Sequence, residues 1–186
     1  MQFKTLFTAS LLSGLSSAAT AENKAFQLAA INSNSPVNLS PFSASHGSFS
    51  LKLPEGAQAA SCDGEVTNAA TFQINAAGEL VLYHGTQPTQ KAFTVRSAMG
   101  QGVFGYRTGP LPRNSETKGW SINADGHLEF NGVDSFIACP NRAEGAWSVW
   151  IDTGRERPGN TNVECTSVAA RVIEVENPIS CVYTQE

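Results

Sequence analysis

The sequence has no GxSxG elbow, no HExxH pair, no GxxxxGK[ST] loop and no GxGxxG that opens a helix. The short phrases that announce a serine hydrolase, a zinc protease or a nucleotide-binding enzyme are therefore missing. There is no CxxC spacing, and none of the three histidines, His46, His84 and His127, stands near a cysteine. That argues against thiolate–imidazole metal sites, and no cofactor is expected. Basic residues are few, 12 Lys+Arg against 16 Asp+Glu, and they form no run. A chain without a positive face has little to offer a phosphate backbone, so nucleic acid is not an expected partner. Helical periodicity is scarce beyond residue 22. No segment there is long and apolar enough to cross a bilayer, and "NPISCVYTQE" is not the hydrophobic tail of a lipid-anchor signal. No membrane anchor is expected.

What is present begins with a leader. Lys4 is followed by the apolar stretch "LFTASLLSGL" and then by small residues at Ala19 to Ala21. That layout is a secretory signal peptide over residues 1–21, ahead of a single domain over 22–186. Removing Lys4 with the leader leaves eleven basic against sixteen acidic side chains. All four cysteines, Cys62, Cys139, Cys165 and Cys181, fall after the leader. In an exported chain an even number reads as two disulfides, with three connectivities open. The expectation is Cys62–Cys139 and Cys165–Cys181, the latter pinning the C-terminal tail. One N-glycosylation sequon, Asn38-Leu39-Ser40, is present and is followed by Pro41.

Sixteen glycines and nine prolines punctuate the chain throughout. Between them lie short stretches rich in Val, Ile, Phe, Trp and Thr, among them "FQLAAI", "VNLSPF", "SFSLKL", "AFTVRS", "VFGYRT", "SFIAC", "WSVWID" and "VAARVIEV". About twelve such strands predict an all-β fold. One phrase is written twice. "FQINAAGELVLY", Phe72 to Tyr83, returns as "WSINADGHLEFN", Trp120 to Asn131. Each copy places Asn, Ala and Gly where a tight reversal between two strands needs them. Shorter echoes of its first position occur at Phe26 and Val168. A threefold spacing of this kind predicts a β-trefoil-like closed barrel, with a β-sandwich as the alternative.

Candidates for chemistry are thin. Asp125, Glu129, Asp134 and Asp152 could supply a glycosidase pair, but most sit at turns, where solvation accounts for them. "MGQGVFGYRTG" resembles a phosphate cradle without the lysine or the following helix, so its glycines read as bulges and close packing. The aromatics say more. In "AWSVWID", alternation puts Trp147, Val149 and Ile151 on one face, and Ser148, Trp150 and Asp152 on the other. With the first face in the core, Trp150 beside Asp152 becomes a sugar platform, an apolar ring next to a hydrogen-bonding group. The alternative is that the loop "GRERPGNTN" covers it. Tyr83 and Tyr106 are similar candidates.

The phrases "SAMGQGVFGYRTG", "NSETKGWSI", "IACPN", "GAWSVW", "VAARV" and "NPISCVYTQ", in that order over most of residues 95 to 185, give the chain a family resemblance. It resembles the PhiA-type cell wall proteins of filamentous fungi. The resemblance implies a secreted, wall-associated protein acting in phialide and conidium development, in a family where some relatives are IgE-binding allergens, and together with the missing motifs it leads us to expect a non-catalytic role. Its partners would be wall polysaccharide or wall proteins. It brings no established catalytic or binding residues, and its cysteines match the four here.

Overall fold

The computed structural model describes residues 24–86, 88–141, 145–160 and 162–186. The expected leader at 1–21 lies outside them. Fourteen strands run through the described residues: β1 (Phe26–Ile31), β2 (Ser43–Ser45), β3 (Ser48–Leu51), β4 (Ala60–Cys62), β5 (Phe72–Ile74), β6 (Leu80–Leu82), β7 (Lys91–Val95), β8 (Val103–Arg107), β9 (Trp120–Ile122), β10 (Leu128–Phe130), β11 (Ser135–Pro140), β12 (Trp147–Ile151), β13 (Thr166–Glu174) and β14 (Cys181–Tyr183). The fold is all-β, with one 3-10 turn at Pro158–Asn160. The stretch "VNLSPF" is not a strand. Turn bonds from Asn38 N–H to Ser35 O and from Ser40 N–H to Val37 O, with Leu39 at φ 62°, bend it instead. β2, β4 and β14 were not among the expected strands: each is only three residues long, and Ser43–Ser45 and Ala60–Cys62 carry no large aliphatic or aromatic side chain.

The repeated phrase is wired the same way in both copies. Asn75 Oδ1 accepts the amides of Ala77 and Glu79, and Asn123 Oδ1 accepts those of Asp125 and His127. Gly78 and Gly126 follow with φ of 71° and 76°, a region an L side chain resists. Each glycine carbonyl then holds an element more than forty residues on. Gly78 O accepts Gly119 and Trp120 N–H, and Gly126 O accepts Val172 N–H. The phrase is a hairpin that clips itself to the next part of the chain. Its echo positions Phe26, Phe72, Trp120 and Val168 all lie in the buried core.

The large sheet runs β11-β13-β1-β5-β6-β7-β8-β12-β3-β2, and β11 also pairs with β12. The ladder therefore returns on itself through eight strands. Its widest seam is β1 against β13, six pairs from Phe26↔Glu174 to Ile31↔Ala169. Three joins rest on single pairs, Phe26↔Phe72, Val81↔Lys91 and Trp150↔Val103. β9–β10 and β4–β14 form two small sheets of their own. The enclosed core is aromatic: Phe49 packs against Phe72, Phe104 and Tyr106, and Trp120 against Phe104 and Phe130.

All four cysteines are bridged, but not in the expected pairs. The bonds are Cys62–Cys181 and Cys139–Cys165. Register decides this: β14 lies along β4 with Cys181 directly opposite Cys62. β11 and β13 pair through Ala138↔Thr166, which brings Cys139 beside Cys165. The tail is pinned to Cys62, in the first third of the chain, and not to Cys165.

Candidate functional site

β12 alternates as its sequence predicts. Val149 and Ile151 are buried, Trp147 packs half-buried against the core, and Ser148, Trp150 and Asp152 lie half-buried on the other face. The Trp150 indole N–H donates to Ser148 Oγ at 3.3 Å. Its neighbour across the ladder, Ile137, shares a cleft with Gly154 to Arg157, the start of the loop expected to cover the ring. That loop is tied down farther along by Gly159 N–H to Gln101 Oε1 at 2.8 Å.

Asp152 is fixed at both carboxylate oxygens. Oδ1 accepts Gly154 N–H at 2.8 Å, closing an Asx turn, and Oδ2 accepts the Ser135 hydroxyl at 3.0 Å. The row continues across the sheet. Ser135 Oγ lies 2.8 Å from Ser167 Oγ, and Asn32 Nδ2 donates to Ser167 O and Thr166 Oγ1 at 2.7 and 3.1 Å. Asn38 Oδ1 accepts Asn32 N–H at 2.9 Å. At strand spacings of about 4.8 Å, a row from the end of β12 over β11 and β13 to β1 extends roughly 14 Å.

Three clefts follow this row and share its residues. One of about 710 Å³ is lined by Arg96, Glu116, Val133, Asp152, Thr153 and Gly154. A second, about 490 Å³, again uses Asp152 and Gly154 and adds Ile137, Arg155, Thr166 and Ser167. A third, about 350 Å³, shares Ser167 and holds Asn32, Asp134 and Ser135. Together they make an interrupted groove, the shape a polymer segment would occupy. Thr153 lines the first cleft, while its Oγ1 is buried without a partner among the described residues.

Glu116 and Asp152 are two carboxylates on one cleft, which raises acid–base chemistry. The Arg96 guanidinium holds Glu116 through bonds of 2.6 and 2.9 Å and keeps its carboxyl below the usual carboxylate range. A group held ionised in this way is poorly placed to donate a proton to a leaving group. The other acidic candidates have local duties. Asp125 stands in the second repeat turn, Glu129 accepts the Ser121 hydroxyl at 2.7 Å, and Asp134 accepts Asn123 Nδ2 at 3.1 Å. Among the described residues no group of three or more His, Cys, Asp or Glu is arranged to hold a metal.

The four sequence-predicted platform residues do not form one site. Trp150 and Asp152 sit two residues apart beside the groove. Tyr83 is half-buried in a separate cleft with Lys24, Gln73 and Glu174. Tyr106 is corrected outright: it is 0 % exposed, and its hydroxyl donates to Thr184 O. Burial raises its phenol well above the ordinary value, so it offers no face to a ligand. Alternation could have warned of this, because Tyr106 shares a strand face with Phe104, also buried. Ser135, Ser167, Asn32 and Thr166 carried no signal, since only strand pairing unites them.

The glycine-rich phrase has a structural duty, as expected. A Cβ on Gly102, at φ 92°, would meet Ile151 O at 2.2 Å, so only glycine lets β8 begin this close to β12.

The chain matches the family described as PhiA-like secreted protein over residues 26–184. It is 46% identical over 190 residues to cell wall protein phiA of Aspergillus fumigatus, covering 100% of both chains. It is 44% identical to the protein of that name from Aspergillus niger, covering 99% of each, and 44% identical to that from Emericella nidulans, covering 96% of this chain and 98% of the relative. No solved structure gives a significant match.

Proposed function

We propose, since this chain belongs to the PhiA-like secreted protein family and is a secreted cell wall protein, that it associates with the wall by binding polysaccharide in the groove around Asp152. One observation carries this reading: a carboxylate fixed at both oxygens, set in a row of hydroxyls and amides that three linked clefts follow. Such a row presents pre-oriented acceptor oxygens to sugar hydroxyls, so little ordering is left to complete on binding. Trp150 supports it from beside the groove. The role is non-catalytic association, and it falls in asexual spore development, at the phialide and conidium. Wall proteins are the partner that failure on all polysaccharides would favour. Asn38 suits a glycan, because its Oδ1 is occupied by Asn32 while Nδ2, the atom a glycan takes, has no partner among the described residues.

The test is co-sedimentation of the purified protein with insoluble chitin, β-glucan and mannan. One of the three should retain the wild type, and Asp152→Ala should cut retention by about tenfold or more while leaving the thermal midpoint within a few degrees. Trp150→Ala should lose part of the retention. Equal retention of wild type and Asp152→Ala, or none by any of the three, contradicts the reading.

A further inference from the structure

We propose that the chain has a second glycan cleft, at Tyr83, and that it bridges two polysaccharide strands instead of holding one. This rests on the wall-binding reading above. The second cleft has a volume of about 560 Å³ and shares no residue with the groove. Lys24 and Ala25 enter it just before β1, Gln73 from β5, Tyr83 from the end of β6, and Glu174 and Pro178 from the end of β13 and beyond.

The backbone under the ring is fixed from both sides. Tyr83 N–H donates to Thr71 O at 2.8 Å, and Tyr83 O accepts Cys181 N–H at 3.3 Å, next to the Cys62–Cys181 bridge. The rim carries an ion pair, Lys24 Nζ to Glu174 at 3.1 Å, with both side chains about two-thirds exposed. An exposed pair of this kind adds little stability, and with Glu176 beside it the cleft keeps one net negative charge. An aromatic ring, a proline and a valine beside an amide and nearly balanced charges suit a neutral, polyhydroxylated ligand. They do not suit an anion, which would want unpaired cations.

Placement turns a second cleft into a bridge. β13 contributes Thr166 and Ser167 to the groove at one end and Glu174 to this cleft at the other. Seven residue steps of extended strand lead from Ser167 to Glu174, roughly 23 Å. β13 is paired along most of that length with β1, so the separation is rigid. Two neutral-glycan sites held that far apart on one body can engage separate polymer chains, and each engagement raises the effective concentration for the next.

The experiment uses fine suspensions of chitin, β-glucan and mannan particles, with particle size followed as wild-type protein is added. Size should rise and then fall again when excess protein fills every site singly. Tyr83→Ala and Glu176→Lys, the latter an exposed change in the same cleft, should remain bound through the groove. Clustering by these variants should need about tenfold more protein or vanish. Binding without any growth in particle size would overturn the bridge while leaving the groove intact. Clustering by both variants at wild-type concentrations would also overturn it, and would assign bridging to another contact. Absence of binding to every particle would instead overturn the wall-glycan reading on which the bridge rests.

Discussion

Glu79 closes the first repeat turn, and its side chain is about a tenth exposed. Its carboxylate accepts Lys91 Nζ at 3.0 Å and Asn75 Nδ2 at 2.9 Å. Burial alone would raise its proton affinity, but these donors outweigh burial and hold the group below its ordinary value. The folded state therefore binds fewer protons than the unfolded chain. The stabilisation is complete above the ordinary value near 4.5 and is lost as pH falls through the lower folded value. Glu79→Gln should cost about 1–2 kcal/mol at pH 7. The gap in thermal midpoint between the two proteins should shrink as pH falls from 6 to 3. A gap that stays constant would mean the carboxylate's charge contributes nothing. At this scale the sequence was partly legible. Trp150 and Asp152 could be placed on their strand face from alternation alone. The tie between Glu79 and Lys91 could not, because it depends on how β6 and β7 meet.

The hairpins were the most legible elements. "NAAG" and "NADG" carry their own turn chemistry within four residues, so nothing distant is needed to form them. Each clip from Gly78 and Gly126 to chain more than forty residues away was visible only as a spacing. Disulfide pairing was illegible for the same reason: partners are set by which strands lie side by side, and β14 returns to β4 across 119 residues. That difference has a consequence. Cys62–Cys181 constrains a far longer stretch of unfolded chain than Cys139–Cys165, whose separation is 26. In the chain-entropy picture, Cys62→Ser/Cys181→Ser should lose roughly 1 kcal/mol more stability than Cys139→Ser/Cys165→Ser. Denaturant unfolding of the two double variants checks this. An equal or reversed order would show that local packing at the bridges outweighs loop length. The free edge of β14 is covered in an unusual way. Buried Gln90 donates to Tyr183 O at 2.7 Å and accepts Tyr183 N–H at 2.8 Å, acting as a neighbouring strand would.

For the whole molecule, compartment, all-β class and family were legible in the sequence, because each depends on local patterns or long matching phrases. The groove was not. Ser135 and Ser167 stand 32 residues apart and meet only through the β11–β13 ladder, and Asn32 joins them only through the pairing of β1 with β13. On the function proposed above, this groove holds wall polysaccharide. Amide hydrogen exchange, with and without a soluble fragment of the polysaccharide that retains the protein, tests it most directly. Exchange should slow at Asp152 and Gly154, whose amides frame the carboxylate turn, and in the segments around Ser135 and Ser167. Protection confined to other surfaces, or no change while the fragment is bound, would contradict it.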